Sequence, residues 1–82
     1  MKTEFDAVKK PAYYNTGTIE VLDFIEDQKL GFHEANIVKY VCRARYKGSE
    51  LTDLGKAAEY LRRKILILHK QKEEENTKLN EL

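Results

Sequence analysis

Six apolar residues, Leu51, Leu54, Ala58, Leu61, Ile65 and Leu68, recur at spacings of 3, 4, 3, 4 and 3. That alternation averages about 3.5 residues, so all six fall along one side of an α-helix. The spacing predicts a helix over residues 51–72, with Ser49 or Thr52 near its start and Ala57 and Tyr60 beside the seam. At about 1.5 Å per residue it spans roughly 33 Å, more than either helix that precedes it.

The chain has 82 residues, enough for one thin domain. Chains of this size sit near the limit of independent stability and are usually rescued by disulfides, a metal or self-association. A single cysteine, Cys42, excludes an internal disulfide. With His33 and His69 it also falls short of a four-ligand zinc site. Self-association remains, and the excess length of the third helix is expected to pack on another copy.

Two shorter helices come first. The first is expected over residues 18–28, with Thr18 as N-cap and Gly31 as the stop. Ile19, Leu22 and Ile25 share one face, flanked by Val21 and Phe24, while Glu20, Asp23 and Asp27 share another. The second is expected over residues 33–46, ending at Gly48. Its apolar side is Ile37, Val41 and Ala44, widened by Val38 and Cys42. A separate stripe carries Asn36, Lys39, Arg43 and Tyr46 at i, i+3, i+7 and i+10, bordered by Tyr40 and Lys47. Residues 1–17, ending in PAYYNTG, read as an irregular N-terminal segment, residues 18–72 as the helical domain, and residues 73–82 as a polar C-terminal tail. The expected fold is therefore all-α: two short helices and one long heptad-bearing helix, assembling as a helical oligomer.

Charge excludes some roles. Lys plus Arg number 15 and Asp plus Glu 14. That near balance argues against nucleic acid as a partner, because non-specific binding needs a larger basic excess. No apolar run approaches the 18 or so residues that span a membrane, so no membrane partner is expected. The opening MKTEFDAVKK lacks the apolar core of a signal peptide, and with a free thiol it points to a reducing cytoplasm, that of the host cell if the chain is viral.

Three constellations bear on chemistry. In NIVKYVCRARYKG, Lys39, Arg43, Arg45 and Lys47 lie within nine residues beside Tyr40 and Tyr46. Guanidinium and ammonium groups suit phosphates, and tyrosine rings can stack on a base, so the pattern fits a nucleotide. The alternative is a solvated basic face paired with Glu20, Asp23 and Asp27. Two E-x-x-D pairs, Glu20/Asp23 and Glu50/Asp53, place carboxylates on shared faces where they could hold Mg²⁺ if the protein were an enzyme. The second pair also suits a helix N-terminus without any metal. Finally, Tyr13, Tyr14, Asn15 and Gly17 could lid a planar ligand, or simply pack and turn. There is no phosphate-binding loop and no G-x-G-x-x-G turn. Cys42, amid apolar neighbours, reads as a core residue.

The stretch YYNTGTIEVLDFIEDQKLGFHEANIVKYVCRARYKG, followed by DLGKAAEYL, resembles a family of small phage-encoded proteins that includes the nucleotide kinase of a lytic coliphage lacking a phosphate loop. The family pattern runs H-Y-x-x-G-x-I-E-x-x-D-F-I, then L-x-F-x-x-G-N-x-x-K-Y-x-x-R, then D-L-x-K-A-x-x-Y-L. The resemblance covers Tyr13 to Leu61. The matching positions are Tyr14, Gly17, Glu20, Asp23, Phe24, Phe32, Asn36, Lys39, Tyr40, Arg43, Asp53, Lys56 and Tyr60, and the polar ones are implied to surround a nucleotide. Tyr13 and Ala35 depart from the histidine and glycine of the pattern.

These readings lead to three expectations. The first is a small oligomeric phage-type protein that binds a nucleotide or nucleotide-derived molecule between subunits, sequestering a signal of host immunity as an anti-defence role. Lys39, Arg43, Arg45 and Lys47 would meet phosphates, Tyr14, Phe32 or Tyr40 would stack, and Asn36, Asn15 and Gly17 would complete the site. The second, implied by the resemblance, is a deoxynucleoside monophosphate kinase, or a Mg²⁺-dependent pyrophosphohydrolase, with Glu20 and Asp23 on the metal. The third is a structural helical module that docks on a host protein.

Overall fold

The structure, a computed structural model, describes residues 16–81. Three helices follow one another: α1, Val21–Gln28; α2, Phe32–Arg43; and α3, Glu50–Glu81. No strand occurs among the described residues. The molecule is elongated, 60 × 30 × 19 Å, because α3 runs for 32 residues while α2 has 12.

The first helix starts later than its sequence suggests. Residues 16–19 form a bend, and the first helical bond runs from the Phe24 N–H to the Glu20 carbonyl at 3.0 Å. Glu20 is thus the N-cap residue, in extended conformation and without a side-chain cap bond. The helix also stops before the glycine expected to end it. Lys29 adopts the left-handed region at φ 55°. Its N–H and that of Leu30 donate to the carbonyls of Glu26 and Ile25, which satisfies two terminal acceptors. Gly31 serves instead as the N-cap of α2. The Glu34 side chain folds back so closely that a Cβ on Gly31 would lie 3.1 Å from its Oε1.

The second helix ends at Arg43, three residues short of expectation. The Arg43 carbonyl accepts from both Tyr46 N–H at 2.9 Å and Lys47 N–H at 3.1 Å, a tight corner that Gly48 completes at φ 86°. A positive φ of that size favours glycine, so the chain turns here and returns antiparallel along α2.

Packing of α2 on α3 holds the domain together. On α3, Asp53 and Ala57 are buried and Tyr60 and Lys64 half-buried, a stripe spaced 4, 3, 4. Across from it, Arg43 meets Asp53, Tyr40 meets Tyr60, and Glu34 Oε2 lies 3.5 Å from Lys64 Nζ. The heptad seam is elsewhere. Leu51, Leu54, Ala58, Leu61, Ile65 and Leu68 are all exposed, Leu51 at 86%. At about 100° per residue, the seam is about a quarter turn round the helix from the stripe that α2 covers. Helix α3 continues through residue 81, so the polar residues after Lys72 are helical, with Thr77 Oγ1 donating to the Glu73 carbonyl at 3.0 Å. None of the three helices is long and apolar enough to cross a membrane.

Candidate functional site

The corner at residues 44–48 divides the basic stretch. Arg43 is the last residue of α2, whereas Arg45, Tyr46 and Lys47 leave the helix and sit exposed on the turn. The expected stripe of Asn36, Lys39, Arg43 and Tyr46 therefore ends at Arg43. Beyond it, the Arg45 guanidinium lies over the ring of its neighbour Tyr46, 5.0 Å from the centroid.

Arg43 has a buried partner. Its Nε and Nη2 donate to Oδ2 and Oδ1 of Asp53, each at 3.2 Å. The Asp53 side chain is 1% exposed and that of Arg43 11%. This forked geometry joins the end of α2 to the first turn of α3, and it commits two guanidinium nitrogens to a structural acceptor. The second E-x-x-D pair is divided by the same contact, since Asp53 turns inward and Glu50 is exposed.

Next to the ion pair lies a cluster of rings. Tyr40 and Tyr60 stack with centroids 5.9 Å apart and planes at 21°. The Arg43 guanidinium is 4.5 Å from the Tyr40 centroid and Lys56 Nζ is 5.5 Å from it. Tyr60 also meets Phe32 and His33 edge-on, at 5.8 and 6.2 Å. Phe32 remains 68% exposed despite these contacts. Asn36, one turn along from Phe32, donates from Nδ2 to the Phe32 carbonyl at 2.8 Å.

Two clefts result. One, of about 320 Å³, is lined by Tyr40, Lys56, Glu59, Tyr60 and Arg63. Its floor is held by charge: Glu59 accepts from Arg62 Nε at 2.7 Å and Nη2 at 2.8 Å, and from Arg63 Nε at 3.1 Å. Those hydrogen bonds, that from Arg62 first, lower the Glu59 carboxyl from the ordinary 4.5 to about 2. The other cleft, of about 520 Å³, has a mixed lining in which the aliphatic Ile19, Val41 and Leu54 stand beside Arg45, Tyr46 and Glu50.

The expected site residues thus fall into separate places. Phe32, Asn36, Tyr40 and Arg43 line the α2–α3 junction. Gly17 and Arg45 belong to the larger cleft. Lys39 is half-buried on α2 and Lys47 exposed at the corner. Tyr14 and Asn15, like Tyr13, lie outside the described residues. Glu20 and Asp23 occupy the cap and first turn of α1, and among the described residues no three His, Cys, Asp or Glu side chains converge as a metal site. Glu59 and Arg63 are absent from the expected set; with Lys56 and Tyr60 they share one face of α3, a spacing that any charged helix face can show.

The sequence pattern of a family described as a protein of unknown function, DUF3310, matches residues 8–62, a span that includes α1, α2 and the start of α3. No curated protein and no solved structure matches the chain.

Proposed function

The chain belongs to the DUF3310 family of proteins of unknown function, and from its own geometry we propose that it binds a nucleotide or nucleotide-derived molecule in the cleft between α2 and α3. The observation that carries this reading is the pairing of stacked rings with cations in one small cleft. Tyr40 and Tyr60 offer π-faces, the exposed Phe32 ring extends them, and Lys56 and Arg63 supply positive charge. A volume near 320 Å³ is at the lower end of small-molecule pockets and suits a mononucleotide. Stacking of a base on such rings is worth about 1–3 kcal/mol. The larger cleft supports this chemistry less well, since it offers one ring and one cation, Tyr46 and Arg45, beside the acid Glu50.

This reading moves the phosphate contacts. Arg43 positions Tyr40 and anchors α2, and Lys56 and Arg63 take the role first given to the basic stretch of α2. The cleft also lies within one chain rather than between copies. Sequestration of a signalling nucleotide fits a shallow binding site, and phosphoryl transfer would need in addition a bound Mg²⁺ and a second substrate.

A second reading has its own support. The buried Arg43–Asp53 pair and the exposed seam fit a module whose task is assembly. Calorimetric titration of the full chain with mono-, tri- and cyclic nucleotides separates the two. Saturable binding is expected, weakened roughly ten- to hundredfold by Tyr60→Ala, in line with the loss of one stacking ring. Recovery of intact nucleotide after heat denaturation identifies a binding protein, whereas conversion in the presence of Mg²⁺ identifies the kinase that the phage-family resemblance implies. Absence of binding across the panel leaves assembly as the function.

A further inference from the structure

The exposed seam of α3 requires an occupant, and the residues that flank it indicate which. We infer that a second copy of this chain covers it, with the two α3 helices antiparallel about a point between Glu59 and Tyr60. The inference rests on the seam and the α2–α3 corner, and is independent of the nucleotide reading.

In that register each seam residue meets an apolar residue of the other copy. Leu51 faces the partner's Leu68, Leu54 faces the partner's Ile65, and Ala58 faces the partner's Leu61. At the centre the small Ala58 faces the larger Leu61 in both layers, so the facing side chains can interdigitate. All six are exposed in the single chain.

Charge selects this orientation over the parallel one. Continuing the 4, 3 spacing past Leu68 places Lys72 and Glu75 on the seam. A parallel pair in register would set Lys72 against Lys72 and Glu75 against Glu75, which is repulsive in both layers. Antiparallel pairing takes both like pairs out of the seam and sets Lys72 level with the partner's Lys47 at the exposed corner. It carries Glu73, Glu74 and Glu75 of each copy past the first turn of the partner's α3, beside the exposed corner that bears Arg45 and Lys47. The positive end of the partner's helix dipole lies there as well.

The larger cleft fits the same arrangement. Its wall of Ile19, Val41, Tyr46 and Leu54 is continuous with the seam at Leu54, and Ile19 is 68% exposed. The Ile65–Leu68 end of the partner's helix comes alongside it and covers aliphatic surface. The nucleotide cleft is on the opposite flank of α3, where Lys56, Glu59 and Arg63 point away from the seam, so it stays open in the pair.

Sedimentation of the full chain and spin-label distances test this directly. In a Cys42→Ala background, one label is placed at Arg63→Cys and, in a second variant, at Thr77→Cys, both on the side of α3 away from the seam. Antiparallel pairing about the stated point separates the two Thr77 sites by about 52 Å along the axis and the two Arg63 sites by about 10 Å, at about 1.5 Å per residue. The expected result is a dimer in which the Thr77 distance exceeds the Arg63 distance by at least about 20 Å. Equal distances at both sites mean a parallel pair and overturn the proposal. A monomeric wild-type chain overturns it as well, and assigns the seam to residues 1–15 or to a different protein.

Discussion

Helix α3 presents two stripes of opposite character, and the chain uses the less apolar one for its own packing. The inner stripe is Asp53, Ala57, Tyr60 and Lys64: an acid, a small residue, a ring and a cation. The outer stripe is Leu51, Leu54, Ala58, Leu61, Ile65 and Leu68, aliphatic throughout and exposed. Ordinary burial would reverse this assignment, since each leucine removed from water is worth about 1.5–3 kcal/mol. The inner stripe prevails within the chain because its groups answer those of α2 one for one: Asp53 with Arg43, Tyr60 with Tyr40, Lys64 with Glu34. Specific pairing fixes the hairpin and leaves the apolar stripe exposed. Among the described residues only Ala44, Asp53 and Ala57 are buried, so a single copy has very little core of its own.

The contrast can be broken most severely from the inside. Asp53→Ala leaves the largely covered Arg43 guanidinium without that carboxylate, and removal of one partner of a fully buried pair typically costs about 3–5 kcal/mol, an upper bound here. For a domain this thin that loss should unfold much of the population, which urea denaturation followed by circular dichroism would show. Pairing it with Arg43→Leu should recover most of the stability. Failure of the single substitution to destabilise would mean that the ion pair is incidental to the hairpin.

A charge on the outer stripe should act differently. Leu61→Asp places a carboxylate in the centre of the seam, where desolvation without a partner is costly. The dissociation constant of the pair should rise about a hundredfold, or roughly 2.7 kcal/mol, in sedimentation equilibrium. Nucleotide binding should survive, because the ring cleft is on the other flank. Loss of ligand binding together with assembly would tie the two stripes into one site.

The smallest effect is a pH dependence at the rim of the cleft. Arg62 and Arg63 hold the Glu59 carboxyl at about 2, down from 4.5. A carboxyl lowered on folding contributes stability above its unfolded value and loses it as pH falls toward the folded one. The stability difference between wild type and Glu59→Gln should therefore be constant above about pH 5 and shrink between about 4.5 and 2. All three side chains are solvent-accessible, so the difference is modest and declines with salt. A difference that is flat across that window would show that the arginine contacts do not persist in solution.

Much of the fold is legible in the sequence because helical periodicity survives in a string of letters. The 3, 4 spacing from Leu51 to Leu68 identifies α3, and the apolar positions of α1 and α2 place both. What periodicity does not encode is which stripe faces inward. Asp53 and Arg43 are ten residues apart, and their meeting depends on a corner whose geometry is set by Gly48 and by two N–H groups converging on the Arg43 carbonyl. The same corner explains why the basic stretch does not form one surface: Arg45 and Lys47 look helical by spacing but lie on the turn. Of the candidate site, Asn36 and Tyr40 are visible in the α2 pattern, whereas Phe32, just before the helix expected over 33–46, enters through the family resemblance. Tyr60 and Lys56 came through the family resemblance, and Glu59 and Arg63 required the fold, because charged residues at i, i+3 and i+4 on a long helix are ordinary surface composition.

Amide chemical shifts of the isotope-labelled full chain, followed during addition of adenosine monophosphate, would test the division of labour between the two stripes in one measurement. Perturbations clustered at Phe32, Tyr40, Lys56, Tyr60 and Arg63, with Leu51, Leu61 and Leu68 changing only on dilution of the protein, are the expected result. Shifts centred on Gly17, Arg45 and Tyr46, or none at saturating nucleotide, would contradict it.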